Sequence, residues 1–262
     1  MTTDAAIAQT PPATAANTAS DPGAAPVLLI DRSADAWTFT LNRPTKMNAL
    51  SGELVDALIQ GVDEAHEQGV PVLVFRGEGK NFSAGFDFGG FEQQSEGDLV
   101  LRFIRLETLL QKVAASPALT VGFAHGRNFG AGVDLFAVCK HRVCTSDTSF
   151  RMPGLKFGLV LGTRRFGEIV GREKARSILG STRTFHAEEA AAMGFVHAVH
   201  DTAEWPSQID AAIESAQVLD ADTRANLYRV LDANRYDADL AELVRSAARP
   251  GLKDRIRQYL KG

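Results

Sequence analysis

His125-Gly126-Arg127-Asn128-Phe129-Gly130-Ala131-Gly132-Val133-Asp134 follows directly on the apolar run Leu119 to Ala124. Such a run reads as a buried strand, and the glycine-rich stretch as a turn that feeds a helix from about Gly132. A second stretch of the same kind, Asn81-Phe82-Ser83-Ala84-Gly85-Phe86-Asp87, comes shortly after the apolar strand Val72 to Phe75. Ligand crevices form at the carboxyl ends of parallel strands, and glycine lets backbone come close to a ligand. A helix N-terminus leaves N–H groups unbonded, so those near Ala131 and Gly132 would point outward at the positive end of the dipole. Two such loops can supply two convergent donors, the outline of an oxyanion hole for charge developing on a carbonyl oxygen. The same spacing also suits ordinary tight strand-to-helix turns, and spacing alone leaves both readings open.

Outward from these loops the chain alternates strand and helix. Val27 to Ile30 and Ala36 to Leu41 read as strands, the second rich in the β-formers Trp37, Thr38, Phe39 and Thr40. Ser51 is a good N-cap for a helix whose Leu54, Val55, Leu58, Ile59 and Val62 fall at three-to-four spacing, and Gly69 ends it. Val70 to Phe75 is a compact strand, Gly77 to Phe91 a glycine-rich loop, Leu99 to Val113 an amphipathic helix, and His141 to Thr145 a further strand. This order implies an α/β fold with parallel strands covered by helices. After about Glu188 the pattern is helical, over Ile209 to Val218, Thr223 to Leu231, Leu240 to Ala247 and Leu252 to Leu260. Residues 1–26 hold mostly Ala, Thr, Pro and Asp and no Lys or Arg, too little apolar surface to offset ordering entropy, and read as a disordered tail. They lack the charged and apolar regions of a secretory signal. The expected division is a tail (1–26), an α/β core (27–200) and a C-terminal helical region (201–262).

Composition excludes more than it identifies. Of 262 residues 45% are hydrophobic and 23% charged, enough for a sizeable core. The net charge of −4 and the lack of a basic stripe argue against nucleic acid, and no apolar run is long enough for a membrane span. Cys139 and Cys144 are the two cysteines, too few for a disulfide framework or zinc site, which suits a reducing cytoplasm. Gly77-Glu78-Gly79 is followed by Phe82 where a dinucleotide fingerprint needs glycine, and no P-loop occurs. Ser83 lacks the first glycine of a nucleophile elbow, and His66-Glu67 has no second histidine four residues on. The six histidines are scattered, so no metal ligand set is expected.

Leu41-Asn42-Arg43-Pro44-Thr45-Lys46-Met47-Asn48-Ala49-Leu50-Ser51, then Phe82 through Asp87, then Gly126 through Asp134 resemble the successive signatures of the crotonase family, the enoyl-CoA hydratases and isomerases. The likeness continues through Pro153, Gly158, Gly162-Thr163-Arg164-Arg165-Phe166, and Ala187-Glu188-Glu189-Ala190 to Gly194-Phe195-Val196, and covers roughly Val27 to the C-terminus. The resemblance implies a crotonase-like spiral of β-β-α repeats with a C-terminal helical region, assembled as a homotrimer or homohexamer. It implies an acyl-CoA thioester as substrate, coenzyme A entering as part of that substrate and no tightly bound cofactor. By position, the oxyanion donors would be the backbone N–H groups of Phe86, after Ala84-Gly85, and of Ala131, after Gly130. Lys46, Asn48 and the backbone from Phe86 to Phe88 would line the CoA channel; for Lys46 a solvated surface charge is the other reading. Asp87 would hold its loop through local backbone hydrogen bonds.

The family's hydratases use two glutamates. The first position holds Asp134 here, and the second, after Pro153, holds Gly154. Water addition through two acids is therefore weakened, while one acid beside an enolate-stabilising hole still suffices to move a proton along the substrate. Asp134 would also fit as a helix-start residue stabilised by the dipole. The segment Leu159 to Gly162 is shorter than the family loop, which changes the acyl pocket. Arg151 and Lys156 flank the missing acid and raise the option of an acyl group bearing its own carboxylate, against an ordinary exposed structural role. The expectation is an acyl-CoA-binding enzyme with Phe86, Ala131 and Asp134 as its catalytic groups, isomerase or other enolate chemistry being favoured over hydration. The alternative is a vestigial crotonase fold that binds CoA esters or partners without turnover.

Overall fold

The computed structural model describes residues 25–232 and 235–262, so residues 1–24 of the expected tail lie outside the described residues. Strand β1 (Leu28–Arg32) pairs antiparallel with β2 (Ala36–Leu41). Helix α1 (Gly52–Glu67) follows, its first turn capped by the Ser51 side chain, which accepts from Leu54 N at 3.2 Å. Next come β3 (Val72–Gly77), α2 (Glu96–Ala114), β4 (Leu119–Ala124), β5 (Arg127–Phe129), α3 (Ala131–Ala137), β6 (His141–Cys144) and β7 (Ser149–Arg151). A 3-10 turn over Gly154–Phe157 leads to α4 (Thr163–Val170), α5 (Arg172–Ser181), β8 (Phe185–His186), α6 (Ala187–Ala192) and β9 (Ala198–Val199). The chain ends in α7 (Trp205–Gln217), α8 (Ala221–Leu231), α9 (Tyr236–Ala247) and α10 (Leu252–Lys261).

Two sheets result. The larger runs β1-β2-β3-β4-β6-β9, parallel from β2 onward, and the smaller runs β5-β7-β8. Residues 72–75 are wholly buried, as a strand covered on both faces must be. Leu73 and Phe75 face the main core with α1 and α2, whereas Val72 and Val74 join Val121, Phe123 and Val143 under Trp205, Ala212 and Ala216 of α7. The first helix after residue 200 is thus the cover of the sheet's second face. The last two share the main core through Leu243, Ala247, Leu252 and Ile256.

Several features differ from the reading of pattern alone, among them β7, β8 and β9, the last a short strand inside the stretch after Glu188 read as helical. The second glycine-rich stretch contains a strand, β5, paired in parallel with β7. Three residues with one buried side chain carry no periodicity that could announce it. Helices α4 and α5 occupy residues 163–170 and 172–181, to which the reading of pattern assigns no helix. What joins these short pieces is aromatic packing. Phe195 meets Phe150, Phe166, Phe185 and Phe136 with ring centroids at 5.3, 5.4, 5.6 and 5.8 Å, and all five rings are fully buried. The cluster fastens β7, β8 and α4 to α3, the helix that starts at the second glycine loop. Phe195→Ala is expected to cost about 3–5 kcal/mol of stability, read by denaturant unfolding. A loss below about 1 kcal/mol would mean that the cluster does not hold the second sheet in place.

Candidate active site

The Gly85–Phe86 peptide is oriented by Leu50, whose N–H donates to Gly85 O at 2.7 Å while its own carbonyl accepts from Asp87 N at 3.2 Å. Because the peptide is planar and trans, fixing the carbonyl on one side turns the Phe86 N–H to the opposite side, and Phe86 lines a cavity. Ala131 opens α3 and has no intrahelical acceptor. Neither N–H makes a hydrogen bond among the described residues. The two loops touch. A Cβ on Gly85, at φ +85°, would lie 2.5 Å from Phe129 O and 2.9 Å from Ala131 N. Ser83 ties them from below, donating to Asn48 O at 2.9 Å and accepting from Gly85 N at 3.1 Å, while its carbonyl accepts from Phe129 N at 2.8 Å. Wholly buried and so engaged, this serine is a strut.

Asp134, in the first turn of α3, lines the same cavity and is only 4% exposed. Its Oδ1 has no hydrogen-bond partner among the described residues. The carboxyl lies against Gly162, at φ +62°, where a Cβ would overlap Oδ1 outright. Burial pushes its pKa well above the usual carboxylate value; Arg165 pulls it down and Glu107 pushes it further up, and burial prevails. The group therefore keeps its proton far beyond the pH at which an exposed aspartate ionises. A neutral carboxylic acid beside two unbonded N–H donors can deliver a proton to a carbon next to a polarised carbonyl.

The cavity encloses about 580 Å³ of empty space, including the part open to solvent. Ala84, Phe86, Phe88, Gly130, Ala131, Asp134, Pro153 and Gly154 all line it. Three expected residues do not. Lys46 is exposed in a 3-10 turn. Asn48 is fully buried beneath the loops, its amide donating to Glu78 O and Asn81 O at 2.9 and 2.8 Å and accepting from Arg43 N at 2.9 Å, so it braces the turn and lines no channel. Asp87 accepts from Gly89 N at 2.8 Å and pairs with Arg43 at 2.8 Å. Burial works to raise its pKa, but these partners outweigh burial and hold it low. Arg151 and Lys156 line a different groove, and Arg151 donates to Thr182 O at 3.0 Å, so neither charge faces the cavity. An acyl group bearing a carboxylate finds no cation on this wall.

At Gly154, where the resemblance places a second acid, a Cβ would be in ordinary van der Waals contact with Leu159 O at 3.4 Å. Leu159 and Leu161 add apolar wall to the cavity. Sequence reasoning missed Phe157, Thr163 and Tyr259, which also line the cavity. Tyr259 comes from α10, and its ring packs on Phe157 at 5.1 Å. A phenol in an amphipathic terminal helix gives no local sign of reaching a site whose loops lie far back in the chain. Glu107 did leave a sign, as an acid on the apolar face of α2 between Phe103 and Leu110.

The family model for enoyl-CoA hydratase/isomerase matches residues 32–249. A probable enoyl-CoA hydratase of Mycobacterium tuberculosis is 33% identical over 178 residues, covering 66% of this chain and 71% of that protein. A crystal structure from Bordetella parapertussis, provisionally named an enoyl-CoA hydratase/isomerase, is 63% identical with a TM-score of 0.90, over 91% of this chain and 100% of that one. A provisionally named enoyl-CoA hydratase of Thermobifida fusca, solved in complex with acetoacetyl-CoA, is alike in fold at 24% identity, with a TM-score of 0.72 over 85% of this chain and 93% of that one.

The environment of Asp134 has a consequence for stability. A carboxyl whose proton affinity rises on folding favours the fold below its unfolded pKa, near 3.8, and loses that contribution as pH rises toward the folded value. Asp134→Asn removes the dependence. The Tm of the variant minus that of the wild type is expected to grow from about pH 4 to pH 8, each kcal/mol appearing as about 2–4 °C in a domain of this size. A difference that does not vary with pH would refute the raised proton affinity.

Proposed function

The chain belongs to the enoyl-CoA hydratase/isomerase family, and from that membership we propose that it binds an acyl-CoA thioester and moves a proton along its acyl chain through an enolate. The observation that carries this reading is the meeting of two unbonded main-chain donors and one buried acid on a single, largely apolar cavity. The acetoacetyl-CoA complex of the similarly folded Thermobifida fusca protein supports a CoA ester as the ligand. With the thioester oxygen between the N–H groups of Phe86 and Ala131, negative charge forming there is stabilised, and each such donor contributes about 2.7–4 kcal/mol in comparable acyl-transfer sites. In its ionised form Asp134 takes a proton from the carbon next to the thioester, and the C–H electron pair moves into the enolate. Returned two carbons further along a 3-enoyl chain, the same proton shifts the double bond to the 2-position. One acid/base suffices for this, whereas hydration needs a second group to activate water. The apolar wall suits an uncharged acyl chain. We also propose assembly as a trimer or a pair of trimers, supported by Val218 and by Leu227, Val230 and Leu231 of α8, all apolar and exposed.

Gly154 favours a second reading, ester binding without turnover. Incubation with a panel of enoyl-CoA and hydroxyacyl-CoA esters in D2O separates the two. Exchange next to the thioester is expected, rising with pH as Asp134 ionises and falling about 10²–10⁴-fold in Asp134→Asn. Tight binding with no exchange would favour the second reading, and no binding of any ester would end both. Gly154→Glu is expected to increase hydration of a short enoyl-CoA. If no gain appears, the Leu159 to Gly162 segment has rebuilt the site beyond restoration by one acid.

A further inference from the structure

Behind the cavity wall, close to the Asp134 carboxyl that lines it, lies a second buried acid. Glu107 is 1% exposed on α2, one residue after the cavity-lining Leu106. Arg165 closes on it from α4 with two hydrogen bonds, Nη1 to Oε2 at 3.1 Å and Nη2 to Oε1, and Gln111 Nε2 adds a third at 2.9 Å. Arg165 stands three residues after Gly162, whose backbone touches the Asp134 carboxyl, so the contact and the guanidinium belong to one turn of chain. On its outer side Arg165 reaches Asp239 of α9 at 3.4 Å, and Arg164 holds the same Asp239, Nε to Oδ1 at 2.8 Å. Packing does not account for the pair, because an apolar pair of similar volume is commonly at least as stabilising as a buried ion pair.

The charged groups acting on Asp134 are Arg165 and Glu107. Of the other elements around it, β4 carries no titratable residue, β5 carries only Arg127, which is exposed, and α10 brings the phenol of Tyr259 to the cavity. We propose that Glu107 and Arg165 are positioning residues for the proton of Asp134: the pair binds the guanidinium charge to Glu107 and so withholds it from Asp134, which holds its proton at rest and takes up its role as base as it ionises. The inference rests on the reading of Asp134 as the acid/base of the site. Were Glu107 neutral, Arg165 would keep only Asp239, at 3.4 Å, as an acidic partner, and its pull on the Asp134 proton would no longer be offset by Glu107.

The test is Glu107→Gln, with Asp239→Asn as a milder variant that removes the outer acidic partner of Arg165. In each background, and in the wild type, Asp134→Asn is added, and the Tm difference between the protein with and without that substitution is followed from pH 4 to pH 9. This difference reads ionisation of Asp134 without substrate. Glu107→Gln is expected to make Asp134 ionise at least tenfold more readily, moving the transition down by about one pH unit or more. Asp239→Asn moves it the same way by less. The pH profile of proton exchange on an enoyl-CoA ester shifts by the same amount, which a purely structural loss would not produce. An unchanged or upward-moved transition overturns the proposal, and if Glu107→Gln does not fold, the Asp239→Asn result decides by the same criterion. Absence of exchange in the wild type would end the enzymatic reading while the Tm measurements still decide the role of the pair.

Discussion

At Gly85 the first glycine loop presses on the second so closely that a methyl group would sit 2.5 Å from the Phe129 carbonyl and 2.9 Å from the Ala131 nitrogen. Much of the architecture serves this contact. Parallel strands β3 and β4 bring the loops to the same end of the sheet. Leu50 turns the first loop's peptide, Ser83 and Asn48 brace it from below, and β5, paired with β7, carries the second loop to meet it. The outcome is two N–H groups, from distant parts of the chain, left unbonded at one wall of one cavity. Backbone donors held this way need no reorganisation when charge appears before them.

The second constraint is electrostatic. A protein interior penalises charge, so an acid enclosed there is either paired or neutral. Both solutions occur side by side. Glu107 is paired, enclosed by Arg165 and Gln111, whereas Asp134 leaves Oδ1 without a partner among the described residues and retains its proton. Two carboxyl groups thus meet opposite surroundings, one paired and one unpaired, and of the two only the unpaired one lines the cavity. Gly162 makes room for it, and the helix beginning at the next residue carries the cation that silences its neighbour.

Much of this is legible in the sequence. Glycine spacing after apolar runs locates both loops, and Ser51 and the three-to-four stripe after it locate α1, because turns and caps are decided within a few residues. Asp134 is legible as a candidate acid, and Gly154 as the gap where a second acid is expected. Asn48, expected in the channel, is instead a brace. A polar side chain in a motif can serve a ligand or hold a turn, and only its three backbone partners decide between them. Arg151 and Lys156 flank Gly154 in sequence yet face another groove, since neighbours along a strand or a tight turn need not share a face.

By itself the sequence determined the order of the earlier strands and helices, β5 excepted, the two glycine loops, the absence of familiar nucleotide and metal motifs, and Asp134 as the candidate acid. Those features are local, written in residue type and short spacing. Tertiary structure alone decided that Tyr259 of the last helix lines the cavity, that β5 exists, that Leu159 and Leu161 add apolar wall to it, and that Glu107 meets Arg165. Each depends on contacts between segments far apart in the chain. The protonation of Asp134 belongs with them, because it follows from burial and neighbouring charge, and an isolated stretch of sequence fixes neither.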